Sequence, residues 1–179
     1  MRKIPVTLNV IMICSIIGAA AICVLIAYNM AKVGSGGGWE TCTVTFITFS
    51  QALSFPYRHM EEMRLKAYLA DSPQKLYEGY RFKDSYDFLE MDAEGMLFDL
   101  RQYAESTITI TMQNVQLPLS VLVLEKFNDV YIIQQGKELY PEENWVIELP
   151  KNDPLILELN PNIGRQILKQ AATTSIKID

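Results

Sequence analysis

Nineteen consecutive residues, Val10 to Tyr28, carry no charge, and this run constrains the chain more than any other feature. At about 1.5 Å per residue, a helix of that length reaches across the roughly 30 Å hydrocarbon core of a bilayer. A retained anchor is favoured over a cleaved secretory signal, whose apolar core runs about 7–15 residues and ends at a small-x-small site. The best such site here, Asn29-Met30-Ala31, begins with Asn, and no lipoprotein signal precedes Cys14 or Cys23, where Ile13 and Ile22 stand. Arg2 and Lys3 on one flank, against Lys32 on the other, predict a cytoplasmic N-terminus. The expected organisation is a cytoplasmic stub over residues 1–8, a transmembrane helix over 9–31, a Gly/Ser linker over 32–38 and an extracytoplasmic domain over 39–179. In a bacterium this describes a single-pass inner-membrane protein with a periplasmic domain. Ser15, Gly18 and Ala19 make a small-residue face that predicts helix packing in the membrane.

The remainder is acidic. Residues 39–179 hold 13 Lys/Arg against 21 Asp/Glu, a net charge of −8. Such a domain is repelled by nucleic acid and by anionic lipid, and no basic cluster offsets this. Cys42 is the single thiol beyond the apolar run, so it forms no disulfide within the domain and no metal site. It reads as an inert buried thiol, with an intermolecular bridge between two copies as the alternative.

Secondary structure in the domain divides in two. Thr41 to Ser50 (TCTVTFITFS) suits a strand by its alternation, but it runs on towards Gln51 without a breaker and is also compatible with a helix. Tyr57 to Leu69 predicts a helix, with Met60, Met63 and Ala67 at three-to-four spacing. Asp71-Ser72-Pro73 is a capping side chain followed by proline at the first helical position, and starts another. A third helix is expected over about 85–103. After that, Thr107–Met112 alternates, Leu117–Phe127 and Val130–Gln135 form a hairpin about Asn128-Asp129, and Trp145–Leu149 and Leu155–Leu159 give two more strands. Gly136–Asn144 reads as a loop. Asn160-Pro161 opens a last helix, with a fraying tail after Thr173. Helices followed by a meander of strands predict an α+β domain, with helices packed on one face of a curved antiparallel sheet.

No catalytic or metal-binding group emerges. His59 is the single histidine and lacks the second one that a helical zinc site needs. Gly34–Gly38 lacks the flanking strand and Lys-Ser/Thr of a phosphate loop, and no G-x-S-x-G is present. Glu61/Glu62, Asp84/Asp87 and Asp92/Glu94 are read as solvated pairs rather than as acids flanking a glycosidic bond. The aromatic run Tyr77, Tyr80, Phe82, Tyr86 and Phe88 is the best candidate for a pocket lining or docking surface, with core packing as its alternative. No cofactor is expected.

Val115-Gln116-Leu117-Pro118-Leu119, Trp145-Val146-Ile147 and Asn160-Pro161-Asn162-Ile163-Gly164 with Gln166 resemble motifs of the IcmL/DotI/TraM-like proteins. These are inner-membrane components of type IV secretion and conjugation systems, with cone-shaped periplasmic domains related to nuclear transport factor 2. The likeness covers the last third of the chain and its overall plan. It departs from the family in a shorter stub and an apparent insertion before Trp145. It implies a non-catalytic structural subunit of an envelope-spanning complex, a homo-oligomer whose partners are other membrane proteins and the lipid bilayer, with no nucleic acid. The alternative expectation is a membrane-tethered module that binds a small ligand in a pocket between sheet and helices.

Overall fold

A computed structural model describes residues 38–50 and 59–179. The strands are β1 (Glu40–Ser50), β2 (His59–Ala70), β3 (Gly95–Asp99), β4 (Thr107–Thr111), β5 (Leu119–Phe127), β6 (Val130–Leu139), β7 (Asn144–Glu148), β8 (Leu155–Leu159) and β9 (Thr174–Ile178). Two α-helices accompany them among the described residues, α1 (Pro73–Glu78) and α2 (Pro161–Lys169). Seven strands close a barrel in the order β1-β2-β3-β8-β5-β6-β9, while β4 and β7 pair separately as a two-stranded ribbon. Every barrel pairing is antiparallel except β2 with β3. A parallel pair needs a long crossover, and residues 71–94, which include α1, supply it.

The barrel interior is packed with side chains. Val44 and Phe46 of β1, Leu65 and Ala67 of β2, Leu97 of β3, Leu122 and Leu124 of β5, Leu155, Leu157 and Leu159 of β8 and Ile176 of β9 form one buried cluster. Ile167 of α2 joins it, with Ile163 and Leu168 packed against it, so that α2 stoppers one end of the barrel. Its entry is fixed locally: Asn160 Oδ1 accepts from the Asn162 N–H at 2.9 Å and Pro161 occupies the first turn, an N-cap with its matching proline. The helix comes close because two contacts lack side chains. A Cβ on Gly164 would fall 2.1 Å from Ser120 Cβ, and one on Gly136 would fall 2.2 Å from a Leu168 methyl.

Several expectations are corrected. The domain is not a set of helices on an antiparallel sheet, nor a nuclear-transport-factor-2-like cone; it is mostly sheet, closed into a barrel, with two short helices among the described residues. Residues 59–70 form β2 rather than a helix. Met63, Leu65, Ala67 and Leu69 enter or abut the core while Glu62, Arg64 and Lys66 do not, a period of two that short windows confuse with a period of 3.6. The expected third helix over 85–103 is instead a series of turns followed by β3 and a one-turn 3-10 helix at Arg101–Tyr103. Gly136 lies within β6, and the tail after Thr173 is not frayed but closes the barrel as β9, paired with both β1 and β6. Thr41–Ser50 resolves as strand.

The single-pass membrane architecture and inner-membrane location are corrected with the fold. Among the described residues no helix is long and apolar enough to cross a membrane: α1 has 6 residues and α2 has 9, where about 20 are needed. The spanning helix assigned to 9–31, with Ser15, Gly18 and Ala19, lies outside the described residues, as does most of the linker over 32–38.

Candidate functional site

Barrel strands have two faces, and on β3, β8 and most of β5 both are buried. On the outer face Met96 and Phe98 of β3, Ile156 of β8 and Leu119, Val121 and Val123 of β5 are all buried. They are covered by the crossover with α1 and by the β4–β7 ribbon, where Ile110 and Ile147, with Met112 and Leu149 just beyond the strand ends, are buried in turn. The cover is tied down through Tyr68 on the outer face of β2. Its hydroxyl donates to Asp87 Oδ1 at 2.5 Å and accepts from the Leu89 N–H at 3.1 Å, and Asp87 also accepts from the Met91 and Asp92 N–H groups, each at 2.9 Å. That carboxylate is held below its usual range by the Tyr68 hydroxyl first, with the backbone donors adding to it. Burial, reinforced by Asp87, pushes the Tyr68 phenol up to about 12.

Cover and barrel do not meet everywhere. Between them lies a cavity of about 250 Å³, walled by Leu76 to Arg81 at the end of α1, by Ile108 to Met112 of β4 and the residue after it, and by Phe98, Leu100, Val115, Leu119 and Ile156. One acid stands among these apolar walls. Glu158 of β8 is 7% exposed, and its strand neighbours on the same face are Met96 and Val121. No hydrogen bond or ion pair among the described residues reaches its carboxyl. Desolvation by burial raises it to about 8, so the group is protonated at neutral pH. A neutral carboxyl is both donor and acceptor. Tyr80, 1% exposed, donates its hydroxyl to the Tyr86 carbonyl at 3.3 Å rather than to Glu158. Burial, and after it the charge of Glu158, holds that phenol well above its usual range.

The aromatic candidates separate into two environments. Tyr77 and Tyr80 both line the cavity, and Tyr77, 72% exposed at its mouth, carries the Arg81 guanidinium 4.3 Å above its ring. Tyr86 donates to the Pro118 carbonyl at 2.7 Å, and Phe88 packs on Tyr68 with ring centres 4.4 Å apart; Tyr80 meets both rings edge-on at 6.1 Å. These contacts hold the cover on the barrel. Phe82 is 74% exposed and lies outside both groups. Sequence reasoning missed Glu158. Its signal was present: Leu155-Ile156-Leu157-Glu158-Leu159 is an apolar strand interrupted once, by an acid.

A second hollow, about 840 Å³, opens at the barrel end opposite α2, with Cys42, Leu69, Leu97, Leu155 and Ile178 among the residues lining it. Its charged rim is largely self-neutralised. Arg101 grips Asp99, Lys126 Nζ lies 3.3 Å from Asp153 and Lys75 Nζ 2.9 Å from Asp71. The Cys42 thiol, 3.7 Å from the Ala67 carbonyl, is pushed up to about 11 by burial, too high for a reactive thiolate. His59 begins β2, paired with Ser50, not on a helix. Among the described residues no group of three His, Cys, Asp or Glu side chains could hold a metal ion.

Fold and cavity together define a small, filled β-barrel with an apolar chamber on its outer face. No protein-family model matches the chain, and no curated protein does. Among solved structures, a "putative transcription regulator" of Sinorhizobium meliloti 1021 aligns with a TM-score of 0.56 at 21% identity, over 80% of this chain and 97% of its own. A protein of unknown function from Novosphingobium aromaticivorans DSM 12444 is 18% identical over 77% of this chain and 84% of its own, with a TM-score of 0.46. The first likeness extends to the fold alone and the second carries no argument. Neither is described as an IcmL/DotI/TraM-like protein.

Proposed function

We propose that this domain is a binding module for one small, largely apolar molecule, held in the chamber between the barrel's outer face and its cover. The observation that supports the reading is Glu158: a carboxyl on a residue 7% exposed, without a hydrogen-bond or ion-pair partner among the described residues, in the wall of an apolar cavity. Burying such a group costs several kcal/mol unless it is satisfied, and a packed core has no use for it. Apolar pockets with a few placed polar groups are the usual form of small-molecule sites. At about 250 Å³ the chamber falls just below the roughly 300–1,000 Å³ typical of such pockets, which sets the occupant at a few carbons rather than a nucleotide. Of the two expectations from sequence, a ligand module and a subunit of an envelope complex, this geometry favours the first.

The test uses the full chain and the straight-chain alcohols from propanol to octanol, titrated by calorimetry. A site of fixed volume gives an affinity that rises with chain length and then falls abruptly. Filling the chamber with Val115→Phe removes binding while the circular dichroism spectrum is unchanged. A smooth rise through octanol, undiminished by Val115→Phe, would overturn the reading, because that is adsorption to surface rather than entry to a chamber.

A further inference from the structure

We propose that the molecule held in this chamber carries a primary ammonium group on a short apolar tail, and that Glu158 is the counter-ion that selects it. This rests on the proposed function and names the chemistry of the same cavity's occupant.

Three charged residues line the chamber, and two are already engaged. Glu78 holds Lys83 Nζ at 2.9 Å, and Arg81 is stacked on the Tyr77 ring. Glu158 is the third, and neither β3 nor β5, the strands flanking it, nor β4 of the cover, contributes a charged side chain to the lining. The titratable groups around it are therefore Tyr80 and Tyr77 beside that ion pair and that stacked arginine. A carboxylate or phosphate ligand would be desolvated among apolar walls whose single cation, Arg81, is already stacked on Tyr77, and it would hold Glu158 in its neutral form. A cation supplies what the site lacks, and the aromatic residues Tyr80 and Phe98 stand in the same walls.

The proton balance is explicit. In the empty chamber Glu158 is protonated at pH 7, since burial raises it to about 8. An entering R–NH3+ pairs with the carboxylate, and the carboxyl proton leaves to solvent, so the net charge in the chamber is unchanged. Binding therefore releases close to one proton at pH 6–7 and none well above pH 8. Below pH 8 the affinity climbs about tenfold per pH unit and then levels off.

The experiment compares n-butylamine with 1-butanol and butyrate, equal in length and different in head group. Titration calorimetry in two buffers of different ionisation enthalpy counts released protons. The expected result is an amine preference of at least about tenfold over butanol at pH 7.5, with proton release, and a loss of that preference in Glu158→Gln with butanol binding retained. The proton count is made on the unaltered protein, so the test stands even if the variant misfolds. Equal binding of amine and alcohol, or a preference for butyrate, would overturn the ammonium proposal while leaving the chamber as a ligand site. Binding of none of the three, together with a smooth alcohol series, would overturn both.

Discussion

The two faces of β8 are buried to nearly the same degree and are put to different use. Inward, Leu155, Leu157 and Leu159 join Leu97 of β3 and Leu122 and Leu124 of β5 in one buried cluster, bordered by a hollow only at the barrel end that Leu97 and Leu155 line. Outward, Ile156 and Glu158 border the 250 Å³ chamber. The inner layer is closed by strands that pair continuously around the barrel; the outer layer is closed by a crossover and a two-stranded ribbon, held by Tyr68, Asp87 and Tyr86. A closed ladder has few ways to yield, so its interior fills. A cover attached through turns can stand off from the sheet and leave room.

The largest expected effect tests that contrast directly. Leu157→Ala, at a site with 0% exposure in the barrel, should cost about 3–5 kcal/mol, because surrounding strands cannot collapse into the hole. Ile156→Ala, one residue along, should cost about 1–3 kcal/mol, since it enlarges a space that already exists. Urea unfolding of the pair, read at equal m-values, decides it. Equal losses would break the distinction between a solid interior and a hollow exterior.

Next comes the pH dependence of Glu158. Its carboxyl titrates near 4.5 when unfolded and near 8 when folded, so between those values the unfolded chain releases a proton that the folded chain retains. Stability therefore falls as pH rises through that window and levels off above it. Glu158→Gln mimics the protonated form and lacks this penalty. It should match the parent near pH 4 and exceed it by about 2–4 kcal/mol at pH 8.5. Parallel stability curves for the two proteins would mean that the acid is solvated, and that the outer layer is as wet as a surface.

A smaller effect is expected where the cover is tied to the sheet. Tyr68→Phe keeps the ring packing on Phe88 and removes the hydroxyl shared by Asp87 and Leu89 N–H. The loss should be about 1–2 kcal/mol, and hydrogen exchange should rise first at Leu89 and Met91 rather than in the barrel strands. Uniform exchange across both layers would show that cover and barrel open as one unit.

How far the sequence foretold this depends on where each signal acts. Local chemistry carried through: Ser72-Pro73 and Asn160-Pro161 start helices, and Asn128-Asp129 turns the β5–β6 hairpin. Closure did not, because it depends on pairings across the chain. β9 is a short amphipathic tail until β1 and β6 lie beside it, and β2 alternates charge with apolar residues in a way that four-residue spacing also fits. The cavity was half legible. Tyr77 and Tyr80 stood out as a pair of aromatics; Glu158 did not, because one acid in a strand of leucines becomes informative only once both faces of that strand are buried.

The finest comparison sets Glu158 against the one polar atom stranded inside the barrel. Ser120, on the inner face of β5 with 0% exposure, has a hydroxyl with no hydrogen-bond partner among the described residues. It faces no chamber; it is pressed against Gly164, where α2 stoppers the barrel. If an unmatched polar group earns its place only by meeting an occupant, Ser120 has none to meet, and Ser120→Ala should be neutral to stabilising by about 1 kcal/mol, with no effect on the alcohol or amine titrations. Glu158→Gln should also stabilise, but only above pH 5 and together with a changed ligand preference. A Ser120→Ala that weakens ligand binding would link the two layers through β5, and the chamber would then have to be treated as one body with the helix-capped end of the barrel.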